Sequence, residues 1–220
     1  MHNSENLLQQ LTTKLRDRRA SIANADDFMC SAVLVPLMEQ DGKLGIWFEV
    51  RSAQLNWQPG EICFPGGRIE PADQNPQTAA VRETSEELGV AADSLRVLGP
   101  LDCIVSPIGV MLFPYVAHIQ TPVKFNPNPS EVAEIFWVPL DWFLSTKPQV
   151  ATMELATRPL ADFPYELLNT YPRDWRRRIT YKVLFYQYRQ YTIWGLSARV
   201  LYNFLTILRE LPANKQIADA

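Results

Sequence analysis

The spacing of apolar residues along the chain predicts a helix followed by paired strands. Apolar residues recur at helical spacing within Asn6–Arg19, which predicts a short amphipathic helix. Two β-branched and aromatic runs, Ser31–Leu37 and Leu44–Val50, read as strands, and Gln40–Gly42 between them is a good hairpin turn. A further short apolar run, Glu61–Phe64, ends at a Pro-Gly-Gly sequence. These segments predict the first strands of a sheet.

A second helix is marked at both ends. Asn75 can cap its first turn, Pro76 suits the first helical position, and Gly89 suits the end. The spacing therefore predicts a helix over Pro76–Leu88.

The remaining apolar segments predict more strands and a closing helix. The strands are predicted at Leu95–Val105, Val110–Ile119, Glu131–Val138, Thr180–Tyr186 and Tyr191–Trp194, and the helix at Leu196–Leu211. This order indicates an α/β sandwich with a mixed sheet. No segment resembles a linker, so we predict one domain over residues 1–220, with a helix or tail at 1–25 and a tail at 212–220.

Composition excludes several classes of function. The chain has 220 residues, 47% hydrophobic and 20% charged, and a formal net charge of -3. This balance supplies no global positive field for nucleic acid or an anionic membrane, and no apolar stretch predicts a membrane span or a secretory signal. The three cysteines are scattered without metal-ligand or redox spacing. A cytoplasmic location is the simplest expectation.

Three glutamates on the second helix are the candidate chemistry. At about 100° per residue, Glu83, Glu86 and Glu87 fall on one side, and the opposite side, which includes Thr84 and Leu88, is expected to face the core. Like charges at this spacing repel, whereas a hard cation such as Mg²⁺ favours clustered carboxylates and phosphate oxygens. A solvated acidic face is the alternative. The preceding glycines favour the cation site, because glycine lets the backbone approach a phosphate closely.

Together these residues resemble the Nudix box. The matching positions are Gly67, Asp73, Arg82-Glu83, Glu86-Glu87 and Gly89-Val90. The chain departs from the pattern in having Asp73 in place of the first Glu, one additional residue before Arg82, and Thr84 in place of an apolar residue. The resemblance implies a Nudix-type α/β/α sandwich. It also implies that Glu83, Glu86 and Glu87 hold Mg²⁺, with Mn²⁺ as a substitute, for hydrolysis of a diphosphate bond.

A wider resemblance is to the coenzyme A pyrophosphatases of this superfamily. It is carried by Arg51-Ser52, Leu55, Gly60-Glu61, Phe64–Gly67 and Ile193–Ala198. It implies hydrolysis of coenzyme A, or an acylated derivative, to 3′,5′-ADP and a 4′-phosphopantetheine.

One departure leaves alternatives open. Asn56 stands where the subfamily usually has Arg. Hydrolysis of another nucleotide derivative, such as a nucleotide sugar, ADP-ribose, a dinucleotide or a nucleoside triphosphate, therefore remains the second hypothesis. A nucleotide-binding module without turnover is the third, although such modules usually lack one of the metal carboxylates.

Several further residues are candidates for the site. Nudix enzymes often use a later carboxylate as base or metal ligand, and of Glu131 and Glu134 we prefer Glu131, which is nearer the Pro/Asn-rich loop. Exposed strand-edge acids are the alternative for both. Phosphate contacts are expected from Arg51, Gly66, Gly67 and Arg68.

Two segments have competing interpretations. The Arg176–Arg178 run could meet a substrate phosphate, but a solvated turn is favoured. The N-terminal helix either mediates a homodimer or covers the sheet.

Overall fold

The computed structural model describes residues 2–19 and 21–212. The elements in this part of the chain, apart from two short 3₁₀ turns, are α1 (His2–Arg16), β1 (Met29–Gln40), β2 (Lys43–Arg51), β3 (Ile62–Cys63), β4 (Gly66–Arg68), α2 (Pro76–Leu88), β5 (Leu95–Pro100), β6 (Ile104–Val105), β7 (Val110–Ile119), β8 (Val132–Pro139), α3 (Leu140–Ser145), β9 (Gln149–Thr157), β10 (Arg176–Tyr188), β11 (Tyr191–Trp194) and α4 (Gly195–Arg209).

A mixed sheet forms the centre of the molecule. Its strands follow the order β3-β2-β1-β7-β5, while β4 also pairs with β1, β6 with β7 and β8 with β2. β1 and β7 run parallel, and the other pairs are antiparallel. A second, antiparallel sheet has the order β11-β10-β9. The predicted mixed α/β architecture is confirmed.

Each face of the central sheet buries its own apolar cluster. On one face, α2 packs Ala79, Ala80 and Leu88 against residues of the sheet that include Ala32 and Leu34. On the other face, α4 and the second sheet pack against the central strands in a larger cluster rich in aromatic residues. The result is the predicted α/β/α layering. Side chains along β2 alternate between the two faces of the central sheet.

Local sequence signals produce the predicted turns. Asp41 and Gly42 both have positive φ, 52° and 74°, at the β1–β2 hairpin, as a type I′ turn requires. The Asn75 side chain accepts a hydrogen bond from the Thr78 amide at 3.0 Å, and Gly89 ends α2 in the left-handed region with φ 61°.

Five predictions about elements were wrong or incomplete. The strand predicted at Leu95–Val105 is divided into β5 and β6, and β9 was not predicted at all. The Arg176–Arg178 run begins β10 and is not a turn, although it is exposed. The helix predicted over Asn6–Arg19 ends at Arg16. Its leucines stay exposed, so α1 does not cover the sheet.

The remaining predictions concern the C-terminal tail and membrane spans. The tail predicted at 212–220 lies outside the described residues from 213 onward. Among the helices that the structure describes, none is both long and apolar enough to span a membrane.

Candidate functional site

The glycine segment β4 and the helix α2 meet at two of the predicted carboxylates. The Gly66 amide donates to Oε2 of Glu87 at 2.7 Å. Gly66 has φ 147°, and a Cβ there would lie 2.3 Å from the Ala32 carbonyl oxygen, so a side chain cannot be accommodated. The backbone of this segment therefore comes directly onto the helix carboxylates.

Gly67 makes the second contact between this segment and the helix. A Cβ at Gly67 would lie 2.4 Å from the carboxyl carbon of Glu83. Since Gly67 does not need positive φ, it is required here by space rather than by backbone conformation. The two glycines predicted to bind phosphate thus lie against Glu83 and Glu87.

Arg82 organises the exposed side of the cluster. Its Nε and Nη2 donate to both carboxylate oxygens of Asp73 at 3.2 and 3.0 Å, and Nη1 pairs with Glu83 at 2.9 Å. Nη1 reaches Glu86 only at 3.5 Å, so the pairing of Arg82 with Glu86 is the weakest of the three. Asp73 forms the arginine fork despite the additional residue before Arg82. These hydrogen bonds lower the pKa of Asp73.

The three glutamates occupy different environments, contrary to the prediction of one shared exposed side. Glu87 is 6% exposed and faces the sheet with Ala79, Ala80, Thr84 and Leu88. The Glu86 side chain is 57% exposed. The helical wheel was wrong for Glu87, because the acceptor required by the Gly66 amide turns this residue inward.

Burial makes Glu87 reluctant to ionise. Desolvation, and then the charge of Glu49, raise the pKa of Glu87 from 4.5 to about 9. Desolvation also raises the pKa of Glu83, while Arg82 opposes that shift. A bound cation would favour the ionised forms of these carboxyl groups and so lower their pKa values. Carboxyl groups with raised pKa values that lie close together are therefore a candidate cation site.

The Pro/Asn-rich loop brings Glu131 towards the cluster. The amides of Asn126 and Asn128 donate to the last carbonyls of α2, on Leu88 and Glu87, both at 3.0 Å. Asn128 also holds the Glu131 carboxylate through its Nδ2 at 3.0 Å. The charge of Glu131 contributes to the raised pKa of Glu83, so the two carboxylates are neighbours.

The competing candidate, Glu134, has a different environment. Its Oε1 accepts a hydrogen bond from the Tyr191 hydroxyl, and it lines a cavity with Glu61, Ile62 and Trp194. The preference for Glu131 stays a prediction.

A cavity of about 760 Å³ opens at the glycine segment. Gly66, Gly67, Arg68 and Arg51 line it together with a largely apolar wall. All four residues predicted to bind substrate therefore share one cavity. Arg51 also lowers the pKa of Glu87 by its charge, which places its guanidinium close to the carboxylates. Asn56 is exposed and does not line this cavity.

Four residues of this region were missed by sequence reasoning. Lys182 and Arg199 line the cavity, and the Arg199 side chain is held by a hydrogen bond to the Lys182 carbonyl at 2.6 Å. Glu49 is buried and pairs with the half-buried Cys63, whose thiol donates to Glu49 Oε1 at 3.0 Å. An acid in the middle of the apolar β2 run was a usable signal. For Lys182 and Arg199, we find no local signal.

The side chains fit a divalent cation in chemistry but are not yet arranged as a coordination sphere. Glu83, Glu86, Glu87, Glu49 and Glu131 offer only carboxylate oxygens, which hard cations prefer. In residues 2–19 and 21–212, no three His, Cys, Asp or Glu side chains already converge as metal ligands. Their mutual repulsion, and the pairing of Arg82 with Glu83 and Glu86, favour this separation without a metal.

The comparison with protein families decides the relationship. The model of the NUDIX domain matches residues 30–158, more than half of the chain. The chain belongs to the NUDIX family. The match includes β1–β8 and α2, and so contains every carboxylate described above.

Individual relatives agree with this assignment. Peroxisomal coenzyme A diphosphatase NUDT7 of Mus musculus is 37% identical over 153 residues, which are 68% of this chain and 64% of the mouse protein. An uncharacterized Nudix hydrolase, NudL, of Photorhabdus laumondii is 32% identical over 179 residues, 81% of this chain and 84% of that protein. The match thus spans just under two thirds of the mouse relative's length.

Solved structures support the fold. A MutT/nudix family protein from Enterococcus faecalis superimposes with a TM-score of 0.51, covering 96% of this chain and 74% of that chain, at 15% identity. At this identity, the likeness concerns the NUDIX fold alone.

Proposed function

We propose that this NUDIX protein hydrolyses the diphosphate bond of coenzyme A, or of an acylated derivative, to 3′,5′-ADP and a 4′-phosphopantetheine, with Mg²⁺. The observation that carries the proposal is that Gly66 and Gly67 line the cavity together with Arg51 and Arg68 and also lie against Glu87 and Glu83. A diphosphate at this segment would meet both the binding groups and the carboxylates. The relationship to the mouse coenzyme A diphosphatase favours this substrate class.

The lining of the cavity suits a long substrate that is charged in some parts and apolar in others. Arg51 and Arg68 stand at the glycine segment, and Lys182 and Arg199 supply further positive charge. Between them the wall is largely apolar, with residues Ile104, Val105, Ile108, Met153, Val183 and Leu196. Arginine suits phosphate because its fork can bind two oxygens. Apolar walls with a few charged groups are typical of sites for small organic ligands.

The residues of the chain would then divide the work. Arg51 and Arg68 would hold phosphate oxygens, and Glu83, Glu86 and Glu87 would hold Mg²⁺, or Mn²⁺ in its place. A bound divalent cation neutralises phosphate charge and assists attack by water on phosphorus. Glu131, fixed by Asn128, would accept a proton from the attacking water. Arg82 would position Glu83 from the side away from the cavity.

A substrate panel tests the proposal. Purified protein with Mg²⁺ is given coenzyme A, its thioesters, ADP-ribose, diadenosine polyphosphates and nucleoside triphosphates, and products are identified by mass. We expect cleavage of coenzyme A or a thioester well ahead of the others, and none in EDTA. Preferential cleavage of another member would establish the second hypothesis. Binding without turnover would show a non-catalytic module.

Matched variants test the role of the carboxylates. Glu86→Gln should lower kcat by orders of magnitude while leaving the melting temperature nearly unchanged, because Glu86 is largely exposed. Glu39→Gln, at an exposed position near the end of β1, is the control and should keep full activity. Equal rates in the two variants would contradict the metal role of Glu86.

A further inference from the structure

Glu49 is a fully buried acid in the middle of a strand. Its exposure is 0%, and in β2 it is paired with Cys63 of β3 on one side and Ile135 of β8 on the other. Strand alternation places Glu49 on the same face as Trp47, whose neighbours belong to the apolar cluster under α2. Glu49 therefore points towards the layer that contains Glu83 and Glu87.

One of the two oxygens of the Glu49 carboxyl group has no hydrogen-bond partner among the described residues. Oε1 accepts the hydrogen bond from the Cys63 thiol. Burial and the charge of Glu49 raise the pKa of Cys63, which keeps the thiol protonated as a donor. Among the described residues, Oε2 is buried and has no hydrogen-bond partner. Either protonation state leaves this oxygen unmatched, and an unmatched buried polar atom destabilises the fold.

The neighbours of Glu49 are other carboxylates. The charge of Glu49 is the second cause, after burial, of the raised pKa of Glu87. Burial raises the pKa of Glu49 itself to about 7, and the charges of Glu131 and Glu83 add to this. Arg51 lowers it, but Arg51 Nε donates to the Trp57 carbonyl at 3.3 Å. In the part of the chain that the structure describes, Glu49 makes no salt bridge.

We propose that Oε2 of Glu49 is a ligand, contributed by the central sheet, for the divalent cation held by Glu87 and its neighbours on α2. The inference rests on the metal requirement in the proposed function and deepens it. It assigns the unmatched oxygen a partner of the right charge. It also explains why an acid lies beside Trp47 and Ile135, which belong to the apolar cluster under α2.

Glu49 lies outside the NUDIX box. The box residues lie between Gly67 and Val90, whereas Glu49 precedes them on a different strand. Because β2 is held on both sides by other strands, this ligand is fixed, and the side chains of α2 would adjust to it. The Cys63 thiol would orient the carboxyl group by occupying the other oxygen.

Mn²⁺ binding to the substrate-free protein tests the inference. The dissociation constant is measured by electron paramagnetic resonance for wild type, Glu49→Gln, Glu49→Met and the exposed control Glu39→Gln. Loss of a fixed ligand should weaken binding about tenfold or more in both Glu49 variants, by analogy with the tenfold to hundredfold effects of groups supporting metal sites. The control should match wild type. Both Glu49 variants remove a buried ionisable group, so their metal-free melting temperatures should not fall.

The outcomes separate this inference from the proposed function. Wild-type Mn²⁺ affinity in Glu49→Gln and Glu49→Met overturns the ligand role of Glu49, even if coenzyme A is cleaved. Absence of Mn²⁺ binding by the wild type overturns it as well. Weakened binding in both variants supports it even if the substrate panel shows that coenzyme A is not the substrate. If Glu49→Gln folds poorly, Glu49→Met, which introduces an apolar side chain of similar size, gives the decisive affinity.

Discussion

The burial of Glu87 predicts that the metal-free protein loses stability as the pH rises. The folded-state pKa of Glu87 is about 9, compared with 4.5 ordinarily. Between these values the folded protein holds a proton that the unfolded chain releases. A raised carboxyl pKa therefore contributes stability that is fully present below pH 4.5 and is lost as the pH rises through about 9.

Glu87→Gln isolates this contribution. The glutamine oxygen can still accept the hydrogen bond that the Gly66 amide gives at 2.7 Å, and glutamine does not ionise. At pH 5 the variant and the protonated wild type should have similar stability. One bound proton changes the free energy of unfolding by about 1.4 kcal/mol per pH unit, so the variant should gain up to about 4 kcal/mol on the wild type between pH 5 and pH 8.

Thermal unfolding in EDTA at both pH values measures the difference. For a chain of this size, about 4 kcal/mol corresponds to roughly 8–16 °C in Tm. Excess Mg²⁺ at pH 8 should then raise the Tm of the wild type and leave that of Glu87→Gln nearly unchanged. A Tm difference between variant and wild type that stays constant with pH would show that Glu87 is not held protonated by the fold. A lower Tm for the variant at pH 8 would have the same meaning.

Other predictions follow from single contacts. Gly67→Ala places a methyl group 2.4 Å from the carboxyl carbon of Glu83, and it should lower kcat on the order of a hundredfold by displacing that carboxylate while Tm changes little. Gly66→Ala meets backbone atoms of β1 at φ 147° and should instead fold poorly, as circular dichroism and soluble yield would show. Arg82→Lys keeps the charge but loses the fork to Asp73, so we expect a lower kcat with little change in KM. An unchanged kcat would mean that Arg82 does not position Glu83. Arg51→Ala should raise KM for the diphosphate substrate roughly tenfold, because a charge-assisted contact is lost. An effect on kcat alone would place Arg51 elsewhere in the mechanism.

Local signals explain which elements could be predicted from the sequence. Helix α2 was predicted to the residue, because its cap at Asn75 and its left-handed end at Gly89 are determined by neighbouring residues. The turn between β1 and β2 was predicted for the same reason, because Asp41 and Gly42 determine it locally. In contrast, β9 has mostly exposed residues and lacks the alternation of a half-buried strand. It forms through pairing with β10, which follows after a connection of 18 residues, 158–175. No local pattern predicts such pairing.

The candidate site shows the same division. The motif singled out Glu83, Glu86 and Glu87, and their role stays a prediction, but a helical wheel could not predict how α2 docks. The Gly66 amide requires an acceptor, and this contact between distant segments turns Glu87 towards the sheet. Glu49 was missed for a related reason. The acid within the apolar β2 run indicated an unusual position, but the sequence could not show that α2 covers the face on which it lies.

The docking of α2 also explains why the site depends on two consecutive glycines. Gly66 and Gly67 line the cavity, and only a segment without side chains can also lie against Glu87 and Glu83 at such short distances. The same segment is therefore close to arginines and to carboxylates, and Arg51 lowers the pKa of Glu87 by its charge. A side chain at Gly67 would displace the carboxylate of Glu83 from this position. The glycines therefore allow one substrate to meet both sets of charges.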